Sequence, residues 1–393
     1  MQFSSEQNRA LQSVSDWLGS SDQQVFRLFG YAGTGKTTLA KHFAEGVGGN
    51  VHFAAFTGKA AYVLQQKGCD ATTIHSLIYI PRSKSLLRLS QLKEKLKNTD
   101  KTHPKHEIIR KMIRLEEENA AKPFFQLNLE SELNNASLLI IDEVSMVNRE
   151  MATDLMSFGC KILVLGDPAQ LPPVFGGGFF IDAEPDFMLT DIHRQALDNP
   201  IIDLATRLRK HEMPAHGSYG DSTVIKRTDM GSDLVMNCDQ LLVGRNKTRT
   251  NFNRRIRELL GYGADQPVTD DRVVCLRNDH EVGLLNGALW IVEDALLTDD
   301  GDTIDLSIAP EQGGPSIAVE AHLCHFLGSK PGMWEKRSAQ EFDYGYALTC
   351  HKAQGSEWSS VVVYNERLGP SSDQWKWLYT AVTRAAERVH LVT

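Results

Sequence analysis

The stretch Gly30-Tyr31-Ala32-Gly33-Thr34-Gly35-Lys36-Thr37 has the residue types and spacing to hold a triphosphate. It reads G-x-x-x-x-G-K-T. Glycines at those positions let the backbone curl until successive N–H groups point at phosphate oxygens, and a helix N-terminus adds partial positive charge. Lys36 would reach the β- and γ-phosphates, and the Thr37 hydroxyl would bind Mg²⁺. The plain alternative is a glycine turn before an ordinary helix. The flanks speak against it: Val25-Phe26-Arg27-Leu28-Phe29 suits a buried strand, and Thr38-Leu39-Ala40-Lys41-His42-Phe43-Ala44 has helical apolar spacing.

Other groups carry matching chemistry. Leu138-Leu139-Ile140-Ile141 is an apolar strand that ends in Asp142-Glu143. Asp142 suits the shell of Mg²⁺, and Glu143 suits a base that orients attacking water. A further strand, Lys161-Ile162-Leu163-Val164-Leu165, ends in Gly166-Asp167-Pro168-Ala169-Gln170-Leu171-Pro172-Pro173, which places Gln170 to touch a γ-phosphate. Gln7 stands ahead of the loop, either to read an adenine edge or merely to face solvent. Phe56-Thr57-Gly58-Lys59-Ala60-Ala61 and Ala71-Thr72-Thr73-Ile74-His75-Ser76-Leu77 read as loop-to-helix junctions. Hydroxyls there either hold phosphates or cap helices.

Such groups need a scaffold that returns each strand to the same edge. Alternating strands and helices with active groups at strand C-termini predict a parallel, doubly wound α/β sheet. Residues 3–18 have helical periodicity, with Ser4 or Ser5 as N-cap. A second α/β unit begins near Gln240-Leu241-Leu242-Val243-Gly244 and resumes over 346–393. Between these, residues 268–345 are short β-rich runs with a hairpin-type turn at Asp299-Asp300-Gly301-Asp302, read as an inserted β-barrel. Residues 81–123 form a basic insert with two helical runs, either a solvated hairpin or an arm beside nucleic acid.

Composition sets wider bounds. The 393 residues are 41% hydrophobic and 23% charged, as in an ordinary globular protein of two or three domains. No apolar run is long enough to predict a membrane span, and Met1–Glu6 lacks signal-peptide features. Six scattered cysteines without a C-x-x-C pair predict a reducing cytoplasm and no cysteine metal site. The net charge of −8 does not exclude nucleic acid, because a local groove can be basic on an acidic protein.

Taken together, the motifs resemble those of the superfamily 1B DNA helicases, in the RecD-like, Dda-like branch. In family order, Gly30–Thr37 matches motif I, Phe56–Ala61 Ia, Thr72–Ser76 Ib and Asp142-Glu143 II. Gly166–Pro173 matches III, Arg194 falls at IV, Tyr346–Glu357 matches V and Leu378–Ala385 VI. The resemblance implies two RecA-like doubly wound lobes that sandwich ATP and Mg²⁺. Lobe one would be 1–80 and 124–190 with 81–123 inserted, and lobe two 191–267 and 346–393 with an SH3-like insert at 268–345.

By the same resemblance Lys36, Glu143, Gln170 and the arginine fingers Arg194 and Arg384 are catalytic. Gln7, Gly30, Gly33, Thr34, Gly35, Thr37, Thr38 and Glu357 join Lys36 around ATP, and Thr37 and Asp142 hold the metal. Thr57, Lys59, Thr73, His75, Thr349, His351 and Lys352 would line a single-strand channel. The forms of motifs III and V imply 5′-to-3′ movement on single-stranded DNA and unwinding of forked duplex. The family's wedge is a β-hairpin, the pin. Here a longer helical insert, with strands expected near Leu77–Ile80 and Phe124–Leu127, leaves Phe124 and Phe125 as candidates to split the duplex.

The sequence also reads as the compact form of the branch, without a long N-terminal domain, active as a monomer. A single-strand-binding or replication and recombination protein is an expected partner. Two rival readings stand beside the helicase: a translocase that displaces proteins without unwinding, and a nucleotide-gated recruitment subunit.

Overall fold

The computed structural model describes residues 3–20, 22–81, 92, 93, 95–97, 99, 104–121, 125–172, 178–191, 199–263, 266–279, 282–299, 301–311, 313–329, 339–366 and 371–393. Arg194, Phe124 and Pro173 lie outside these residues, as does most of the first helical run expected in the 81–123 insert.

The first lobe begins with helix α1 (Ser5–Ser20). Strand β1 (Val25–Gly30) leads to α2 (Lys36–Gly46), β2 (Asn50–Ala55) to α3 (Gly58–Gln66), and β3 (Ala71–Thr73) to α4 (Ile74–Ile78). A hairpin of β4 (Tyr79–Pro81) and β5 (Phe125–Leu127) brackets α5 (Pro104–Ala121). Then follow β6 (Ala136–Asp142), α6 (Arg149–Ser157), β7 (Lys161–Gly166) and β8 (Phe187–Leu189). The sheet runs β3-β2-β6-β7-β1-β8, and every pairing is parallel.

Both faces of this sheet are covered, which is why its central strands are apolar throughout. Leu138 and Ile140 of β6 join one core with α1, α2 and α3, while Leu139 and Ile141 join another with α4 and α6. The β4–β5 stem pairs Tyr79 with Leu127, Ile80 with Gln126 and Pro81 with Phe125. This shifts the expected first strand of the stem: Leu77 and Ile78 are helical, because Thr73 caps a short helix whose buried face they supply.

The second lobe is built from α7 (Pro200–Arg209), β9 (Gly217–Tyr219), β10 (Ser222–Ile225), β11 (Gln240–Val243) and α8 (Asn246–Leu259). An insert follows, with β12 (Arg272–Cys275), β13 (Leu289–Leu297), β14 (Thr303–Pro310), β15 (Ile317–His322) and β16 (Phe342–Tyr344). The lobe resumes with β17 (Ala347–Thr349), β18 (Trp358–Tyr364), α9 (Ser371–Val382) and β19 (Ala385–Val392). Its sheet, β17-β11-β18-β19-β10-β9, is parallel except for the β9–β10 hairpin at its edge. Val361 and Val363 of β18 face one core and Val362 the other, so this lobe is doubly wound too.

The inserted sheet is antiparallel, in the order β15-β14-β13-β12-β16. A parallel bridge between Ala321 and Gln340 brings its two edges together. The β13–β14 turn needs a left-handed residue, and Gly301 supplies it at φ 72°. At the base of the insert, buried Arg257 of α8 pairs with Asp271 at 2.9 Å, and the Tyr346 hydroxyl donates to the same carboxylate. That pair fixes the insert to the lobe.

Candidate active site and nucleic-acid interface

Between β1 and α2 the chain makes the turn that the sequence requires. Gly33 and Gly35 take φ 79° and 80°, conformations that a side chain would strain. At Gly30 a Cβ would lie 2.6 Å from Thr34 Oγ1 and 2.8 Å from Leu189 Cβ, so the loop is packed at its base as well. Lys36 Nζ donates to the carbonyls of Gly30 at 2.6 Å and Tyr31 at 3.1 Å, lying across the loop. Thr37 Oγ1 donates to Asp142 Oδ2 at 2.9 Å. The metal-ligand pair expected from sequence is therefore adjacent. Both are hard oxygen donors of the kind Mg²⁺ takes. Thr38 is exposed on the first turn of α2.

Gln7 is 4% exposed and doubly held. Its Oε1 accepts from Ser4 N, while its own N–H donates to Ser4 Oγ, which is a reciprocal capping box. Its Nε2 donates to the Thr34 carbonyl at 3.1 Å and so braces the phosphate loop. The S-x-x-Q spacing at Ser4–Gln7 carried this signal, which the reading of Gln7 against adenine or solvent passed over.

Glu143 follows β6 in a left-handed conformation, φ 53°, unusual for a residue with a side chain. Burial pushes its carboxyl above the usual carboxylate range, and nearby Arg384 pulls it partly back. Arg384, just past α9, lies 3.7 Å from Glu143 Oε1. Its guanidinium also donates to the carbonyls of Thr380 and Ser356. Gln170 lines the same cleft, and its amide oxygen is buried without a hydrogen-bond partner among the described residues. Glu357 is exposed on the opposite wall. The loop carrying Gln170 is tied to the second lobe: Leu171 N donates to Thr380 Oγ1 at 2.8 Å, and Gln354 Nε2 donates to the Leu171 carbonyl at 2.9 Å.

A second cavity lies beside the cleft. Thr57, Lys59, His75, His351 and Lys352 line it together. Thr73 and Thr349 do not line it; Thr73 is buried as the cap of α4, and Thr349 ends β17. Thr57 likewise caps α3 through its hydroxyl. The Lys59 ammonium sits 4.3 Å over the Trp358 ring, and burial lowers its pKa to about 8. Burial also lowers the His351 and Lys352 pKa values.

The far wall of this cavity was not foreseen from the sequence. Asn278, Asn286 and Gly287 come from the insert, and Leu285 beside them packs so closely that a Cβ on Gly58 would meet its Cδ2 at 2.7 Å. His75 contacts Phe56 edge-on at 5.7 Å, and its ring lies 6.1 Å from that of half-exposed Phe125 in the hairpin stem. An aromatic row thus joins the cavity to the β4–β5 hairpin.

Fold and site define a two-lobed phosphate-loop protein with a cavity lined by both lobes beside the cleft. An AAA domain matches residues 2–230, and a UvrD-like helicase C-terminal domain matches residues 344–392. The ATP-dependent RecD2 DNA helicase of Deinococcus radiodurans is 30% identical over 403 aligned positions, covering 96% of this chain and 47% of the relative. A Pif1 helicase from Bacteroides, solved with ADP-AlF3 and single-stranded DNA, superposes with a TM-score of 0.54 at 19% identity, covering 99% of this chain and 92% of that one. A Pif1 structure at forked duplex DNA gives 0.53 at 18% identity, with the same coverage. These two likenesses show the shared fold of two RecA-like lobes. The chain belongs to the AAA-domain family. It spans about half the length of the Deinococcus relative.

Proposed function

We propose that this chain is an ATP- and Mg²⁺-dependent DNA helicase that moves 5′ to 3′ on single-stranded DNA and opens forked duplex. One observation carries the reading: the same two segments line both the nucleotide cleft and the channel. In α3 and its cap, Thr57 and Lys59 face the channel while Ala60, Val63 and Leu64 face the cleft. In the segment after β17, His351, Lys352 and Gln354 face the channel while Gly355 and Glu357 face the cleft. A change in the cleft therefore moves channel walls on both lobes.

In this reading Lys36 and the loop amides hold the phosphates. Glu143, raised by burial, takes a proton from the attacking water, which the Gln170 amide oxygen, without a partner among the described residues, orients. Arg384 then meets charge developing on the γ-phosphate, so turnover depends on both lobes being engaged. Mg²⁺ held by Thr37 and Asp142 would neutralise phosphate charge. Thr57, His75, His351 and Lys352 track a DNA backbone without reading its sequence. We assign the lobes to 1–80 with 124–190 and to 191–267 with 346–393, as expected from the motifs.

The test compares duplexes carrying only a 5′ or only a 3′ single-stranded tail, with Lys36→Ala as control. Unwinding should require the 5′ tail and disappear in the variant. Preference for the 3′ tail would overturn the polarity. Robust ATP turnover with no strand separation would instead favour the protein-displacing translocase.

A further inference from the structure

Tyr379 reaches from α9 of the second lobe to the tip of the phosphate loop in the first, and is 2% exposed. Its hydroxyl accepts the Ala32 N–H at 2.8 Å and donates to Asp167 Oδ2 at 2.6 Å. Asp167 in turn organises the loop that carries Gln170: its Oδ1 accepts Ala169 N–H at 3.0 Å, and its carbonyl accepts Gln170 N–H at 3.1 Å. Next to Ala32, the Tyr31 ring lies 3.5 Å from the Arg209 guanidinium of α7. The second lobe therefore grips the phosphate loop at two successive residues.

A buried tyrosine needs only one partner to be satisfied. This one bridges two loops that both line the cleft, from a helix whose last residue, Val382, stands two before Arg384. Burial and the Asp167 carboxylate hold its hydroxyl well above the ordinary value, so it stays a donor at any working pH. Phosphate entering the loop competes for the loop amides, Ala32 N–H among them. The hydroxyl then has Asp167 as its remaining partner.

We propose that Tyr379 is a positioning residue that reports the state of the phosphate loop to the Asp167–Gln170 loop and, along its helix, to Arg384. The role rests on the ATPase reading above; the contact itself does not.

Tyr379→Phe keeps the ring and removes the hydroxyl. Hydrogen exchange at the Ala32 amide in the nucleotide-free protein should quicken about tenfold. Strand-stimulated kcat should fall about tenfold, the equivalent of one charge-assisted hydrogen bond, with KM for ATP within about twofold. Asp167→Asn, which keeps the Tyr379 hydroxyl on Ala32, should lower kcat alike with little change in exchange, and the double variant should turn over no worse than the poorer single one. Unchanged exchange would overturn the contact. Faster exchange with unchanged kcat, or fully additive losses, would overturn the relay. A wild-type protein without turnover would refute the ATPase reading, and the relay with it, while exchange still decided the contact. Thermal melting of each variant separates loss of fold from loss of coupling; if Tyr379→Phe does not fold, protection of the Ala32 amide in the wild type carries the exchange test, and an unprotected amide would overturn the contact.

Discussion

Lys59 offers a test in which two readouts of one titration move in opposite directions. Its ammonium lies against Trp358 in the wall of the channel, and burial lowers its pKa to about 8. The side chain is then about nine-tenths charged at pH 7 and about one-tenth charged at pH 9. If only the ammonium attracts a phosphate, the apparent Kd scales with one plus the ratio of neutral to charged lysine. That gives about tenfold weaker binding of a short oligonucleotide at pH 9 than at pH 7. Fluorescence anisotropy at constant ionic strength measures it. Burial also lowers the Lys352 pKa, so the Lys59 share is taken as the difference between wild type and Lys59→Arg, which keeps its charge throughout. Folding stability should change the other way. Unfolded lysine holds its proton to about 10.4, whereas folded Lys59 holds it only to about 8. Between those values the unfolded chain binds more protons, so this group's contribution to stability rises with pH. Affinity that is flat from pH 7 to 9, or a Lys59→Arg profile that falls as steeply as wild type, would refute the reasoning.

Two other perturbations test the cleft. Glu143→Gln should keep nucleotide binding and lower turnover by about a hundredfold or more, as expected for loss of a general base; phosphate release in a single turnover measures it. Near-normal release would remove Glu143 from that role. Gly35→Ala forces a side chain into φ 80° with its Cβ 3.0 Å from Gln7 Nε2, and should cost about 1–2 kcal/mol of stability. A urea denaturation midpoint equal to wild type would show that the loop relaxes at no cost.

What could be read from the sequence was chemistry held within a few consecutive residues. The phosphate loop, the Asp142-Glu143 strand end and the loop that carries Gln170 each follow an apolar strand, and the strand fixes where the polar residue emerges. The two parallel sheets were legible for the same reason: strands such as Leu138–Ile141 and Val361–Val363 are apolar at every position because both faces are covered. Pairings between distant residues were not legible. Tyr379 meets Ala32 across 347 residues, and nothing local distinguishes it from a core tyrosine. The insert's Asn278 and Asn286 reach the channel only through the placement of a separate sheet. The first strand of the hairpin stem was expected two residues too early because Thr73 opens a helix turn whose buried face is Ile74, Leu77 and Ile78.

On the proposed function, Lys59 and Arg384 make neither lobe sufficient by itself. The face of α3 that carries Lys59 into the second cavity is offset from the face where Ala60 and Leu64 line the cleft, so one helix borders both. Opposite it, Gly355 comes so close that a Cβ there would meet Ala60 Cβ at 2.9 Å and Thr57 Oγ1 at 3.1 Å. The segment after β17 therefore bears directly on α3, with channel residues on one side of the contact and cleft residues on the other. Packed interfaces of this kind shift between discrete arrangements more readily than they deform. On the proposed function, a rearrangement at Glu143 and Arg384 would pass to Thr57 and His351 across a contact that leaves no room for a methyl group.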